Sequence, residues 1–315
     1  MGRPGPTVLV LLLALGARPA WPWGCDGHAI VAYIASRHLG PPATRQVTAL
    51  IGQPSAVIFV SRRCDVAGLE PLANVSTWAD DVRSVVPTTA PWHFLDIPRG
   101  TSPTASVTEL CPPAGCVTRA ITEQLAILVD AGRTTQERAN ALMYVVHFVG
   151  DVHQPLHCTT NRDRGGNCVP VDFFGQPSRP DPQSAHGDWR PNLHSVWDTD
   201  LVKKAMVGAT VQQHAQALDA RFADRIASWQ HGTPETWAKE SNRIADEVVY
   251  GKLPVPLPVE PGDVVRCDED HVSERWRAYH EKLDQPYADA AIPVVDEQLA
   301  KAGARLAMVL NDVWR

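Results

Sequence analysis

The chain has 315 residues, 44% of them hydrophobic and 20% charged, with a formal net charge of −6. That apolar content excludes a disordered chain, and 35 acidic against 29 basic residues exclude a protein that coats nucleic acid through bulk positive charge. Ten Trp, twelve His and seven Cys point instead to pockets, metals or disulfides.

Residues 1–22 read as a signal peptide, with Arg3 ahead of an apolar run from Val8 to Ala17 and small or Pro residues at Ala17, Pro19 and Ala20. The cleavage point stays open between Ala20 and Pro22. The rest, 23–315, reads as one all-α, disulfide-stapled domain. Apolar residues at helical spacing predict helices over 28–39, 117–131, 135–152, 192–206, 210–230, 234–250, 268–283 and 289–313. The 135–152 segment is the strongest, with Leu142, Val145, Val146 and Val149 on one side and Pro155 beyond its end. A short strand is expected near 92–97, and surface loops at 175–191 and 253–262. No repeat is visible, and no stretch after the leader is long and apolar enough to anchor the chain in a membrane. A secreted or periplasmic monomer is expected.

Secretion permits disulfides. Cys111 and Cys116 enclose a tight turn and form the best local pair. Cys158 and Cys168 flank a Gly-Gly loop and come next, Cys25 with Cys64 is possible, and Cys267 is then left over. Asn74-Val-Ser is a glycosylation sequon.

His147 and Asp151 are four residues apart on a predicted helix, so they share one face, and His194 and Asp198 repeat that spacing. One such pair alone is an ordinary surface pair. Two of them, with His28, Asp80, His93 and His157 in the same domain, point to a site for several metal ions, because neutral imidazole and carboxylate are good zinc donors.

The surrounding motifs are Trp23-Gly-Cys-Asp-Gly-His28, Thr77-Trp-Ala-Asp80, Trp92-His-Phe-Leu-Asp96, His147-Phe-Val-Gly-Asp-Val-His-Gln-Pro-Leu-His157, Asp163-Arg-Gly-Gly-Asn167 and Asn192-Leu-His-Ser-Val-Trp-Asp-Thr199. In this order they resemble the secreted zinc-dependent single-strand-specific nucleases, the fungal and plant bifunctional nuclease/3′-nucleotidases, whose fold is of the zinc-dependent phospholipase C/nuclease type. Weaker echoes lie at Glu240-Ser241, Val249-Tyr250 and Arg305-Leu306.

The resemblance implies three zinc ions. The first would be held by Asp80, His93, His147 and Asp151, and the second by His28, Asp151 and the amino nitrogen and carbonyl of Trp23. The third would be held by His157, His194 and Asp198. An amino nitrogen binds zinc only when free and deprotonated, so the Trp23 site requires removal of the leader. Such a cluster acidifies a water and stabilises the departing O3′, giving 5′-phosphate products. Asp80 and Asp151 are the expected catalytic residues, with Arg83 on the phosphate. Phe94 would stack on a base whose edge Asp96 reads, with Tyr144 and Asn167 as further contacts, and a stacked base must be unpaired. His153 and Gln154 would orient ligands. The substrates implied are single-stranded DNA or RNA and 3′-nucleotides. The stretch between His157 and His194 is longer than is usual in the family. Two other readings remain: a phospholipase C on the same fold, disfavoured by Phe94 and Asp96, and a non-catalytic secreted zinc-binding protein, disfavoured by the complete ligand set and Arg83.

Overall fold

A computed structural model of the chain describes residues 23–52, 64–65, 68–269 and 274–315; the expected signal peptide, 1–22, lies outside the described residues. Helices follow in the order α1 (Gly24–Arg37), α2 (Pro41–Ile51), α3 (Pro71–Val75), α4 (Trp78–Val82), α5 (Val117–Val129), α6 (Thr135–Asp151), α7 (Leu193–Ser195), α8 (Leu201–Ala205), α9 (Val211–Arg221), α10 (Ile226–Trp229), α11 (Pro234–Ile244), α12 (Glu274–Arg277) and α13 (Gln285–Val313). Tight 3-10 turns at Pro87–His93 and Pro155–Cys158 and wide π turns at Val196–Asp200 and Ala245–Tyr250 join them. Two small two-stranded pairs complete the set: β1 (Val171–Phe173) runs parallel to β4 (Glu281–Leu283), and β2 (Arg179–Pro180) antiparallel to β3 (Trp189–Arg190). The architecture is the mainly helical one expected.

The core forms where α1 crosses α13 and where α6 packs between α5 and α13. Ile30, Ile34, Leu299 and Leu306 are fully buried there, each contributing roughly 2 kcal/mol of burial. The α1–α13 approach depends on Gly303, because a Cβ there would lie 2.5 Å from Ile34 Cγ2. Helix α6 starts with a capping box in which Thr134 Oγ1 accepts from Glu137 N and Glu137 Oε2 accepts from Thr134 N, an arrangement worth about 1 kcal/mol. From Ala141 to Asp151 every residue of α6 is buried. A helix buried all round belongs in a core, so the His and Asp at its end must be satisfied by something other than water.

Several local expectations need correction. Residues 268–283 do not form one helix: α12 is four residues long, and after the turn at His280 (φ 38°) the chain enters β4, where Leu283 is buried and pairs with Phe173. Tertiary pairing overrides the helical pattern here. The 92–97 segment is not a strand. It leaves the Pro87–His93 turn extended, with Leu95 N donating to His157 O (2.8 Å) and Ile97 O accepting from Thr160 N (2.9 Å). The 175–191 loop contains the β2–β3 hairpin, and the 210–230 segment breaks into α9 and α10.

Three disulfides staple the chain: Cys25–Cys64, Cys111–Cys116 and Cys168–Cys267. The expected Cys158–Cys168 pair does not form, and Cys158 rather than Cys267 is the free cysteine. Cys158 ends a buried turn with Sγ directed at Val152 O (3.5 Å). Cys168 faces the 264–267 segment instead, whose Cys267 N donates to His186 O (2.7 Å). This bridge spans 99 residues, and a loop of that length contributes ~5 kcal/mol by restricting the unfolded chain. Asn74 lies half-buried in α3.

Candidate metal centre

The last turn of α6 sets His147 and Asp151 on one face, with His147 Nε2 3.2 Å from Asp151 Oδ2. His147 Nδ1 donates to Ser76 O (2.8 Å), which turns Nε2 towards Asp151 and His93. Ser76 precedes α4, whose Asp80 brings Oδ1 to 3.7 Å from both His147 Nε2 and His93 Nδ1. His93, the last residue of the Pro87–His93 turn, places Nδ1 3.1 Å from Asp151 Oδ2. From α1, His28 stacks on the His147 ring at 3.9 Å and brings Nε2 to 3.3 Å from Asp151 Oδ1. Gly150 makes room for it, since a Cβ there would meet His28 Nδ1 at 2.7 Å. Trp23, fully buried ahead of α1, donates its indole Nε1 to Gly150 O (2.8 Å), and its own carbonyl accepts from Gly27 N (3.0 Å).

A second cluster lies beside the first. An Asn192/Ser195 capping box starts α7 and fixes His194, and the π turn that follows carries Asp198. His194 Nε2 is 3.2 Å from Asp198 Oδ2, and His157 Nε2 is 3.7 Å from Asp198 Oδ1. His157 Nδ1 donates to His93 O and His194 Nδ1 to Gly165 O, both at 2.7 Å, so Nε2 of each is left facing the carboxylate. His157 Nδ1 is also 4.0 Å from Asp151 Oδ1, which places the two clusters side by side. Within them, three groups offer donor atoms close enough to share an ion: His28, Asp80 and His147; His93, His147 and Asp151; and His157, His194 and Asp198.

These residues fit metal ions on physical grounds. His28 Nδ1 and Nε2, both Asp80 oxygens, His93 Nε2, Asp151 Oδ1, His157 Nε2 and Asp198 Oδ2 are buried with no hydrogen-bond partner. Each such atom costs ~1–3 kcal/mol, and together they would rival the ~5–15 kcal/mol net stability of a domain. Cations at the centre remove that cost. Burial holds His28 down at about 4 and His93 at about 3, so both imidazoles are neutral near pH 7, the form that binds metal. Burial pushes Asp80 up to about 7 against the pull of Arg83. Although burial opposes it, Asp151 stays well below the usual carboxylate range because His147, His28 and His93 surround it. His147, held up at about 8 by Asp151 and Asp80 against its burial, carries a proton where a cation would compete.

A cleft of about 650 Å³ opens onto both clusters, lined by Arg83, His93, Phe94, Asp96, His157 and Asn167 on one side and by the 183–188 segment and Asp263 on the other. Phe94 is 39% exposed at its rim. Arg83 Nη2 lies 3.4 Å from Asp80 Oδ1. Burial, then the neighbouring Asp263 and Asp163, push Asp96 up to about 8. Asn167 lines the cleft with its side chain donating to Arg164 O (2.8 Å). The structure does not bring Tyr144 there: it is buried, stacked on Phe148 and edge-on to Trp78 and Trp92. A further cavity of about 620 Å³ lies on the other side of Asp198, lined by Trp23, Asp26, Arg190 and Lys203; it does not reach Arg83 or Phe94.

The far wall of the cleft comes from the 183–188 segment, within the stretch between His157 and His194 that the sequence already singles out. Arg164 Nη1 bonds Asp188 (2.5 Å), Arg266 Nη1 donates to Ala185 O (2.6 Å), and the Cys168–Cys267 bridge ties both sides together.

The S1/P1 nuclease family model matches residues 23–315. Nuclease S1 of Aspergillus oryzae is 28% identical over 94% of this chain and 93% of its own length. Nuclease P1 of Penicillium citrinum is 27% identical over 92% and 97%, and Endonuclease 2 of Arabidopsis thaliana 25% over 93% and 90%.

Proposed function

The chain belongs to the S1/P1 nuclease family, hydrolases of nucleic-acid ester bonds, and from that premise we propose that it is a three-zinc enzyme. It cleaves single-stranded DNA or RNA to 5′-phosphate products and acts on 3′-nucleotides. Asp80, His93, His147 and Asp151 hold one ion. His28 and Asp151 hold the second, joined by Trp23 once removal of residues 1–22 frees its amino group. His157, His194 and Asp198 hold the third. Zinc in these places supplies Lewis acidity, acidifying a water and drawing charge from the phosphate. The chain's own residues do the rest. Asp151 holds its position through the surrounding imidazoles, and Asp80 faces His93 and His147 at 3.7 Å. Arg83 lies beside Asp80, where its guanidinium meets a phosphate oxygen entering the cleft. Phe94 offers a free ring face to an unpaired base, and Asp96 offers its carboxyl group to the base edge.

The observation that carries this reading is the concentration of unpartnered buried imidazole and carboxylate atoms at the floor of a cleft whose rim presents an exposed aromatic ring. No helix among the described residues is long and apolar enough to cross a membrane. The test is hydrolysis by zinc-stripped and zinc-reloaded protein of single-stranded oligonucleotide, duplex and phosphatidylcholine. Zinc-dependent cleavage of the single strand alone is expected. Hydrolysis of the lipid would favour the phospholipase reading, and no turnover of any substrate by the loaded protein would leave a zinc-binding protein without catalysis.

A further inference from the structure

A short turn, 152–155, leads from the end of α6 to His157, and its own contacts lead away from the cleft into α11 and α13. Ser241 Oγ of α11 donates to Val152 O (2.6 Å), and Gln298 Nε2 of α13 donates to His153 O (2.9 Å). The His153 ring is fully buried; its Nδ1 donates to Val149 O (2.7 Å), and Arg305 Nη1 lies 2.9 Å from its Nε2. Arginine can only donate, so His153 is fixed as the neutral tautomer with a lone pair on Nε2. Arg305 is itself buried, and its charge is met by Glu240 Oε2 (2.8 Å), whose other oxygen takes Lys301 Nζ (2.5 Å). Trp237 flanks both His153 and Arg305.

The turn delivers this constraint through Gln154, which is also fully buried. Its Oε1 accepts from Leu156 N (2.6 Å), which fixes the amide orientation and leaves its Nε2 to donate to Asp198 Oδ1. Asp198 Oδ2, the oxygen without a partner, is then the one that faces His194 Nε2. We propose that Arg305 is a positioning residue for the third ligand group. By gripping His153 from the far side of the core, it sets the turn, the turn sets Gln154, and Gln154 aims Asp198 between His157 and His194.

The charge pairing of Arg305 with Glu240 could serve packing alone, and that alternative makes a different prediction. A packing residue affects the stability of the metal-free fold and leaves each ion's affinity intact. A positioning residue affects the affinity of one ion and shares its effect with Gln154. Outer-shell partners of metal ligands typically change affinity by 10–100-fold.

The inference rests on the three-ion reading and is tested on metal-loaded full chain by chelator competition, resolving the affinity of each zinc, beside the melting temperature of the metal-free protein. Arg305→Lys keeps a cation against Glu240 but is too short to hold Glu240 and His153 together. It should lower the affinity of one ion 10–100-fold, leaving the other two within threefold. Gln154→Ala should weaken the same ion, and the double variant should be no weaker than the worse single one, because both act along one path. Should Arg305→Lys fail to fold, Gln298→Met, which releases the His153 carbonyl from the same turn, should reproduce the loss. Unchanged affinity in these variants, an equal drop for all three ions, or strictly additive losses would overturn the positioning role. A wild-type chain that binds no zinc at all would instead overturn the proposed function, and the inference with it.

Discussion

Phe94→Ala tests the cleft without touching a metal ligand. The ring is 39% exposed at the rim, and its backbone carbonyl accepts from Val117 N (3.0 Å) whatever side chain the residue carries. Truncation therefore removes a partly exposed ring and leaves the connection between the His93 turn and α5 in place, at a stability cost of about 1 kcal/mol. Stacking of a base on an aromatic ring is worth ~1–3 kcal/mol, which corresponds to a roughly 5–150-fold loss of binding. The loss should appear as a higher KM for a single-stranded oligonucleotide, with kcat nearly unchanged and three zinc ions still bound. Phe94→Trp should recover most of the affinity. The stacking role is wrong if KM stays within twofold of wild type, and misassigned if zinc is lost with the ring.

Four further outcomes follow from named contacts. Asp151→Ala removes the carboxylate that lies 3.1–3.3 Å from His28, His93 and His147; elemental analysis should find one zinc per chain instead of three, and turnover should fall to background. Although burial works against it, Lys301 and Arg305 hold Glu240 at about 2, below its ordinary 4.5. Its stabilisation, below ~3 kcal/mol because water screens a partly exposed carboxylate, is therefore complete above the unfolded value and lost as pH falls through the folded one. Denaturation of Glu240→Gln should show a deficit at pH 7 that closes as pH approaches 2. Thiol titration of the unfolded, unreduced chain should give one free cysteine, Cys158, and Cys168→Ser with Cys267→Ser should cost up to ~5 kcal/mol in chemical denaturation. Stripping zinc should lower the melting temperature, because ions that bind only the folded state stabilise it by mass action.

Helix α6 was legible because its apolar spacing is long and Pro155 lies beyond its end, while the Thr134–Glu137 capping box that starts it emerged only with the structure. Helix α2 was not. Gly40-Pro41 reads as the stop of the helix predicted over 28–39, yet a proline in the first turn also starts one. The 268–283 segment carried a helical pattern that pairing with β1 overrode, a partner more than a hundred residues away in sequence. The two His–Asp pairs were visible as i,i+4 spacings, while their assembly with His28, Asp80, His93 and His157 came with the family motifs, since no local rule joins six separate segments. The orienting acceptors Ser76 O, His93 O and Gly165 O are backbone atoms, and no residue type announces them. The Cys111–Cys116 and Cys25–Cys64 pairs form as expected, but nearness in sequence favoured Cys158 as the partner of Cys168, whereas the fold brings Cys168 against Cys267 across 99 residues.

Anomalous diffraction at the zinc edge, from crystals of the chain trimmed to Trp23 and loaded with zinc, bears most directly on the trinuclear centre. The account predicts three peaks. Two should lie among His28, Asp80, His93, His147 and Asp151, and one among His157, His194 and Asp198. Peaks elsewhere on the molecule, or none at these side chains, would contradict it.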